Sequence, residues 1–166
     1  MVPVFALGKT QEILTLLYQL KRAQTIDDVP IYIGGLSAKM TEIYDRRAHD
    51  TARVIPGLEL FPEVQPFVLN GKSIGDAPAR PGRIYALSSG MMTEKTLSNV
   101  FGRRLLENPE HSIFFVGYAD PASPAGVLRP APPTALVSLG AGRPAQTVGV
   151  PSERFQSRPP ARSPPP

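Results

Sequence analysis

The sequence predicts an α/β fold for residues 1–129, with a mostly parallel sheet and helices on both of its faces. Two observations support this prediction. Short apolar runs alternate along the chain with longer segments whose apolar residues recur every three to four positions, as strands and helices do. Most of the runs end at glycine or serine, which favour the turn from a strand into a helix. Strands joined through helices run parallel, and their helices pack on the sheet.

The first strand and helix are expected within residues 2–22. An apolar run over residues 2–7 stops at Gly8 and predicts a buried strand. A helix follows, and Thr10 can cap it. Lys21 and Arg22 fall in its last turn, where positive charge suits the helix dipole. The apolar face of this helix is Ile13, Leu14, Leu16, Leu17 and Leu20.

The second unit is a strand at residues 30–33, closed by Gly34 and Gly35, followed by a helix at residues 36–49. The inward face of that helix is predicted to be Leu36, Met40, Ile43 and Tyr44. Five prolines between residues 50 and 82 then forbid long helices, because proline lacks the N–H that a helix interior needs.

The third unit is a strand at residues 83–88 and a helix at residues 93–107, which Asn108-Pro109 ends. Its inward face is predicted to be Leu97, Val100, Phe101 and Leu105. Two further strands are predicted, at residues 67–69 before a turn at Asn70-Gly71, and at residues 112–116.

Residues 130–166 differ in composition from the rest of the chain. They hold ten of the 20 prolines, four arginines and one acidic residue, with little periodicity. This composition predicts a disordered tail. It also carries most of the positive charge, because residues 1–129 hold 14 basic and 13 acidic residues. The abrupt change after Arg129 motivates a second hypothesis, in which the tail is translated out of frame and the gene is split or truncated.

Composition also bounds the chemistry. Cysteine is absent, which excludes disulfides, cysteine-ligated zinc and a thiol nucleophile. The two histidines, His49 and His111, stand 62 positions apart beside charged residues, and we interpret them as surface residues. We therefore assign no catalytic and no metal-binding residue. We identify neither a secretory signal nor a membrane-spanning segment, so we expect a cytoplasmic protein without a membrane partner.

The turn Gly8-Lys9-Thr10 is a candidate phosphate site. In a parallel sheet, ligands bind beyond the carboxyl ends of the strands, where this turn is expected to lie. A lysine and free N–H groups at a helix N-terminus attract phosphate. The turn is not a P-loop, because that motif requires glycine at the position of Pro3. The alternative interpretation is an ordinary turn from a strand into a helix.

Two other turns are expected at the same edge. Ser88-Ser89-Gly90 carries two hydroxyls but lacks the G-x-S-x-G elbow of serine hydrolases, so we interpret it as a phosphate contact rather than a nucleophile. Gly117-Tyr118 ends the last predicted strand. The predicted substrate-binding residues are Gly8, Lys9, Thr10, Ser88, Ser89, Gly90, Met91, Gly117 and Tyr118.

Four separated strings carry a resemblance to a known family. They are VPVFALGKTQEIL (2–14), PIYIGGLSAKMTEIYDR (30–46), IYALSSGMMTEKTLSN (84–99) and IFFVGYADPASPAG (113–126). In this order they resemble the β-CASP subfamily of metallo-β-lactamase-fold hydrolases, which includes RNA-processing nucleases and the mRNA 3′-end cleavage factor. The resemblance covers roughly residues 2–129 and implies a Rossmann-like α/β domain that closes over nucleic acid.

Full-length members of that family are expected to bind two zinc ions, mainly through an H-x-H-x-D-H motif in a β-lactamase-like domain. This sequence has neither that motif nor the family's upstream acidic and downstream histidine ligands. The resemblance therefore implies the nucleic-acid-binding part of a zinc-dependent RNA exo- or endonuclease, with no cofactor in this chain and no activity alone. The implied partners are RNA or another nucleic acid and the missing metallo-β-lactamase domain.

Two other functions stay open. A non-functional truncated fragment would expose apolar surface that the full protein buries, and it would aggregate on expression. A small phosphate- or nucleotide-binding Rossmann-like module is the other possibility, although G-x-G-x-x-G does not follow the first predicted strand. A monomer that binds RNA would favour the β-CASP interpretation over both.

Overall fold

The computed structural model describes residues 1–70, 79–132, 136, 137, 139, 145 and 146. Its strands are β1 (Val2–Pro3), β2 (Ile31–Gly34), β3 (Phe67–Leu69), β4 (Ile84–Leu87), β5 (Leu136–Val137) and β6 (Ala145–Gln146). Its helices are α1 (Lys9–Arg22), α2 (Gly35–Arg46), α3 (Leu60–Val64), α4 (Leu97–Leu106) and α5 (Pro124–Leu128).

Four of the strands form one parallel sheet in the order β1-β4-β2-β3. Ala86 of β4 pairs with Val2 on one side and with Ile33 on the other. At the far edge, Phe67 of β3 pairs with Tyr32 of β2. The predicted parallel sheet is therefore confirmed. The remaining pair, β5 and β6, is antiparallel and separate from this sheet.

Helices cover both faces of the sheet, as predicted, and each face has its own core. On one face, Ile31, Ile33 and Ala86 pack against α1, α2 and α3. The buried helix residues there are Ile13, Leu14, Leu17, Ala38, Leu60 and Val64. On the other face, Tyr85 and Leu87 pack against α4 and α5. The buried helix residues there are Phe101, Leu105, Leu106, Ala125 and Leu128.

The inward face of α2 differs from the predicted one. Leu36 and Ile43, expected inside, are 57% and 49% exposed. The residues of α2 that are buried are instead Ser37, Ala38 and Thr41. The apolar-spacing prediction was wrong here because hydrogen bonds between polar side chains join α2 to α1, and small residues let the two helices approach each other.

Residues 112–116, predicted to be a strand, form none. The segment runs beside β1, where the Phe114 N–H donates to the Met1 carbonyl at 2.8 Å. The next bond of a parallel ladder on this side requires an N–H at position 3, and Pro3 has none. The N-terminal amine of Met1 also donates to the Ser112 carbonyl at 2.5 Å, so the pairing stops after two bonds and the segment stays irregular.

Two element boundaries also differ from the predicted ones. β1 ends at Pro3 rather than at residue 7, because the chain turns at Gly8, which has a φ of 79°. α4 begins at Leu97 rather than at residue 93. Met92 and Lys95 before it have φ values of 54° and 63°, which a right-handed helix does not allow.

Hydrogen bonds and an ion pair of Asp45 and Arg53 hold the irregular stretch between α2 and α3 in place. Both carboxylate oxygens of Asp45 accept N–H bonds at the start of α3, from Leu60 and Phe61, at 2.8 Å each. Arg53 lies 3.9 Å from Asp45 and donates to the Leu58 carbonyl at 2.7 Å. The two side chains are only 11% and 12% exposed, so this ion pair is largely shielded from solvent where it links α2 to α3.

A few residues beyond position 132 belong to the packed domain. Val137 and Leu139 are buried in the core beneath α4. The Leu139 carbonyl accepts bonds from Asn99 at 2.8 Å and Arg103 at 2.9 Å. Most of the region from 130 to 166, where a disordered or out-of-frame tail is predicted, lies outside the described residues, as does Gly71 of the predicted turn. In the described part of the chain, no helix is long and apolar enough to cross a membrane.

Candidate nucleic-acid interface

The turns that follow three adjacent strands meet at the carboxyl edge of the sheet. β1, β4 and β2 are neighbours, so the turns after them begin side by side. Gly90, after β4, lies so close to the turn after β1 that a Cβ there would stand 3.1 Å from Phe5 N. A Cβ on Gly34, at the end of β2, would lie 3.7 Å from Ser88 Oγ. We call residues 5–9, 34–36, 88–91 and 117–118 the carboxyl-edge surface.

The N–H groups of the first turn already have acceptors within the protein. Gly8 donates to Gln11 Oε1 (2.8 Å), Lys9 to Leu7 O (3.0 Å) and Thr10 to Phe5 O (3.1 Å). These N–H groups are therefore not free for a phosphate, in contrast to the premise of the sequence-based prediction. The anion-attracting group that remains in this turn is the ammonium of Lys9.

Lys9 stands at the first position of α1, next to Gly8. Its side chain is 29% exposed, and its Nζ lies 2.5 Å from Glu12 Oε2. Glu12 is 65% exposed, and ion pairs in such surroundings contribute only about 0–1 kcal/mol. A phosphate that approaches the turn can therefore replace Glu12 as the partner of Lys9 at little cost.

Thr10 takes a different part from the predicted one. It is fully buried, and its hydroxyl donates to the Phe5 carbonyl at 2.8 Å. The Thr10 hydroxyl oxygen also lies 3.1 Å from Ser37 Oγ of α2. Thr10 offers no exposed surface for a ligand, and it is not the cap of α1, since Gly8 takes that position. Its contacts tie the first turn to α2.

Ser88 and Ser89 form the second turn and are partly exposed. Their peptide bond is cis. Ser89 Oγ accepts the Thr93 N–H at 3.0 Å, and the Ser89 carbonyl accepts the Ser98 hydroxyl at 2.7 Å. The bonds fix this turn to the start of α4. The bond partners of Ser89 are hydroxyls and backbone rather than a histidine, so the turn is built for hydrogen bonding and not as an activated nucleophile.

Gly117-Tyr118, which follows the irregular segment beside β1, is open to solvent. Tyr118 is 68% exposed, and nothing lies within 4 Å of the place where a Gly117 Cβ would be. This part of the chain is joined to the second turn through α5, because the Ala125 N–H donates to the Met91 carbonyl at 3.1 Å. Met91 therefore contributes its backbone to the assembly of the surface.

The structure adds three apolar side chains that sequence reasoning missed. Phe5, Leu7 and Leu36 are 38%, 64% and 57% exposed on the carboxyl-edge surface. From the sequence, the first two were expected in a buried strand and the third on the inward face of a helix. Pro3 was an available signal, because a proline lacks the N–H that a second neighbouring strand needs and is therefore typical of an edge strand. With Tyr118, these side chains give the surface an apolar and aromatic part beside its lysine and hydroxyls.

The described residues do not fit a zinc centre. Nowhere among them do three or more His, Cys, Asp or Glu side chains come together as metal ligands. Structural and catalytic zinc sites take at least three such ligands from the protein. The metal ions that the family resemblance implies therefore find no suitable donor set in this part of the chain.

A groove of about 710 Å³ lies on another side of the molecule, between α1, the end of α2 and the stretch before α3. It touches the carboxyl-edge surface only at Gly8. The exposed side chains that line it include Leu16, Ile43 and Val54, which are apolar. An apolar groove of this kind does not suit a phosphate backbone, so we place the candidate interface at the carboxyl edge.

Fold and surface together define an α/β domain whose candidate binding edge lies at the carboxyl ends of a parallel sheet. The chain belongs to the Beta-Casp domain family, which matches residues 10–128. The resemblance inferred from the four sequence strings is thus confirmed.

Two relatives are similar to this chain along part of their own length. It is 29% identical over 129 residues to the transcription termination factor FttA of Methanothermobacter thermautotrophicus. The matched segment covers 71% of this chain and 20% of that protein. It is 30% identical over 128 residues to the FttA of Methanosarcina mazei, covering 70% of this chain and 20% of that protein. The chain spans about a fifth of the length of these relatives.

Proposed function

We propose that this chain is the nucleic-acid-binding β-CASP portion of a zinc-dependent metallo-β-lactamase-fold hydrolase that acts on RNA. The observation that carries the proposal is the carboxyl-edge surface, where the adjacent turns after β1 and β4 carry a lysine and two serines, and the exposed Tyr118 lies on a segment joined to the second turn through α5. Membership of the Beta-Casp family supports it, as does similarity to relatives named as transcription termination factors.

Each group on the surface suits one part of a nucleic-acid strand. Lys9 neutralises a backbone phosphate, and the Ser88 hydroxyl donates a hydrogen bond to a phosphate oxygen. The Ser89 hydroxyl donates to Thr93 Oγ1 at 3.1 Å and would bind a phosphate oxygen in exchange for that partner. Phe5 and Tyr118 offer rings on which unpaired bases stack, and each stacked base contributes about 1–3 kcal/mol in single-strand binding. The combination favours single-stranded RNA over a duplex, whose bases are already stacked.

In this proposal the hydrolytic chemistry lies outside the described residues. Two zinc ions held by a metallo-β-lactamase domain would supply the activated water, as metal sites of hydrolases do. The residues of this chain bind and orient the strand, and the chain alone cleaves nothing. A cytoplasmic location is part of the same proposal.

The salt dependence of RNA binding tests the proposal through Lys9. We expect Lys9→Ala to weaken binding of a short single-stranded RNA and to lower the slope of log affinity against log salt by roughly 0.7 to 1, the share of one phosphate contact. The measurement is fluorescence anisotropy over a series of salt concentrations. Lys21→Ala is the matched control, because Lys21 lies at the opposite end of the same helix and pairs with Asp28.

An unchanged slope in Lys9→Ala, or an equal fall in both variants, would remove Lys9 from the interface. No saturable RNA binding by the unaltered chain would contradict the proposal as a whole.

A second candidate function is contact with another protein at the same surface. Leu7, Leu36 and Tyr118 are each more than half exposed, and clustered apolar surface of this kind marks protein interfaces. A metal-bearing β-lactamase-like half would be the partner in a split enzyme. Complex formation with that half, and nuclease activity only in the mixture, would favour this candidate. Aggregation of the chain alone would favour a truncated fragment.

A further inference from the structure

Gln11 is a buried polar residue whose side-chain amide oxygen and nitrogen both form hydrogen bonds. It is 4% exposed and lies in the first turn of α1. Its Oε1 accepts the Gly8 N–H at 2.8 Å. Its Nε2 donates to the Ala6 carbonyl at 3.2 Å and to Thr41 Oγ1 of α2 at 2.9 Å. One side chain therefore connects two points of the Ala6–Gly8 turn to the neighbouring helix.

These bonds fix the turn from inside. The bond from Gly8 to Gln11 is the side-chain half of a capping box, which satisfies an N–H at the start of a helix. Thr41, the anchor on α2, donates its own hydroxyl proton to the Ser37 carbonyl at 2.8 Å and is fully buried. The oxygen that Gln11 binds is therefore held in place by α2 and moves only if that helix moves.

Without Gln11 the turn would keep its other bonds, among them the one from the Glu12 N–H to the Gly8 carbonyl at 2.9 Å. The Thr10 N–H and hydroxyl both bind the Phe5 carbonyl, and the Lys9 N–H binds the Leu7 carbonyl. None of these bonds reaches the Gly8 N–H. Gly8 has a φ of 79° and no side chain of its own. Nothing lies within 4 Å of the place where its Cβ would be, so packing at that place does not restrain it either. A glycine in such a place is free to change conformation.

We propose that Gln11 is a positioning residue for the carboxyl-edge surface. It does not touch the nucleic acid. It holds Gly8 in its positive-φ conformation and couples the turn to α2, so that Lys9 and the exposed Leu7 are presented in one arrangement. The part of this inference that concerns RNA affinity rests on the proposed function. The part that concerns the turn itself does not.

The test uses Gln11→Met, which keeps the size of the side chain and removes its three hydrogen bonds. Amide hydrogen exchange measured by NMR reports the turn directly. We expect the Gly8 amide to exchange about tenfold faster relative to the Leu105 amide of α4, since the loss of one hydrogen bond amounts to roughly 0.5–1.5 kcal/mol. Using α4 as the reference separates a local change from a general loss of stability.

Thr41→Val is the second variant, and it removes only the anchor on α2. It should increase the relative exchange of Gly8 by less than Gln11→Met does, because the bond from Gly8 to Gln11 remains. Thr15→Val is the matched control. The Thr15 hydroxyl bonds to the Gln11 carbonyl, one turn further along α1 and away from the Ala6–Gly8 turn, so its loss should leave Gly8 unchanged.

Affinity for a short single-stranded RNA is the second readout, with about a three- to tenfold loss expected in Gln11→Met. Unchanged relative exchange of Gly8 in Gln11→Met would overturn the positioning role, whatever happens to RNA. Faster Gly8 exchange with unchanged RNA affinity would overturn its link to binding. Faster Gly8 exchange in a chain that never binds RNA would support the positioning of the turn and reject the proposed function.

Discussion

Replacing Phe101 with alanine is expected to lower the free energy of unfolding by about 3–5 kcal/mol, the usual cost of emptying a large aromatic site in a core. Phe101 is fully buried, and its ring centroid lies 4.4 Å from that of Tyr85 at the centre of the sheet. α4 packs on the sheet through this contact, so the loss should affect the whole domain. Urea unfolding followed by circular dichroism measures it.

Phe67→Ala is the matched control for this prediction. Phe67 also stacks on a strand tyrosine, with its ring 5.1 Å from that of Tyr32, but it lies on the edge strand and is 56% exposed. Its loss should cost about 1 kcal/mol. Equal losses in the two variants would mean that α4 does not form the core described here.

Asp45→Ala is expected to lower the free energy of unfolding by about 2–4 kcal/mol, because it leaves buried partners without a counterpart. The Leu60 and Phe61 N–H groups would lose their acceptor, and Arg53 would keep a guanidinium that is 12% exposed beside no carboxylate. The start of α3 should loosen as well. Urea unfolding gives the energy, and amide exchange at residues 60–61 locates the change.

Asp50→Ala is the control for Asp45. Asp50 lies 3.4 Å from Arg47, and both of these side chains are more than 60% exposed. Such a surface pair should contribute less than about 1 kcal/mol. If Asp45→Ala lowered the free energy of unfolding no more than Asp50→Ala does, the bonds of Asp45 between α2 and α3 would contribute no stability.

The strands and helices that form the centre of the fold were predictable because their residues obey one period. The runs at 30–33 and 83–88 became β2 and β4 with boundaries shifted by a residue or two, and the helices after them formed where apolar spacing placed them. The predictions were wrong where a contact between residues far apart in the sequence determines the local structure. The segment at 112–116 lacks strand structure because of Pro3, more than 100 positions away, and the face of α2 was set by polar partners on α1.

The candidate site was predictable as a set of turns but not as a set of side chains. Glycine and serine after apolar runs located the turns after β1 and β4, since parallel strands bring their carboxyl ends together, whereas Gly117-Tyr118 follows a segment that forms no strand. The occupancy of the N–H groups at Gly8, Lys9 and Thr10 was not predictable, because their acceptors are set by how the turn folds back. The exposure of Leu36 could not be predicted either, because polar contacts between α1 and α2 set the buried face of α2.

The most direct test of the central claim is an NMR map of the amides that respond to RNA. The isotope-labelled chain is titrated with a short single-stranded RNA, and the shifted amides are placed on the fold. We predict saturable shifts that concentrate at residues 5–9, 88–91 and 117–118. Shifts that concentrate along α3 or the apolar groove beside α1, or no saturable shifts at all, would contradict the assignment of nucleic-acid binding to the carboxyl-edge surface.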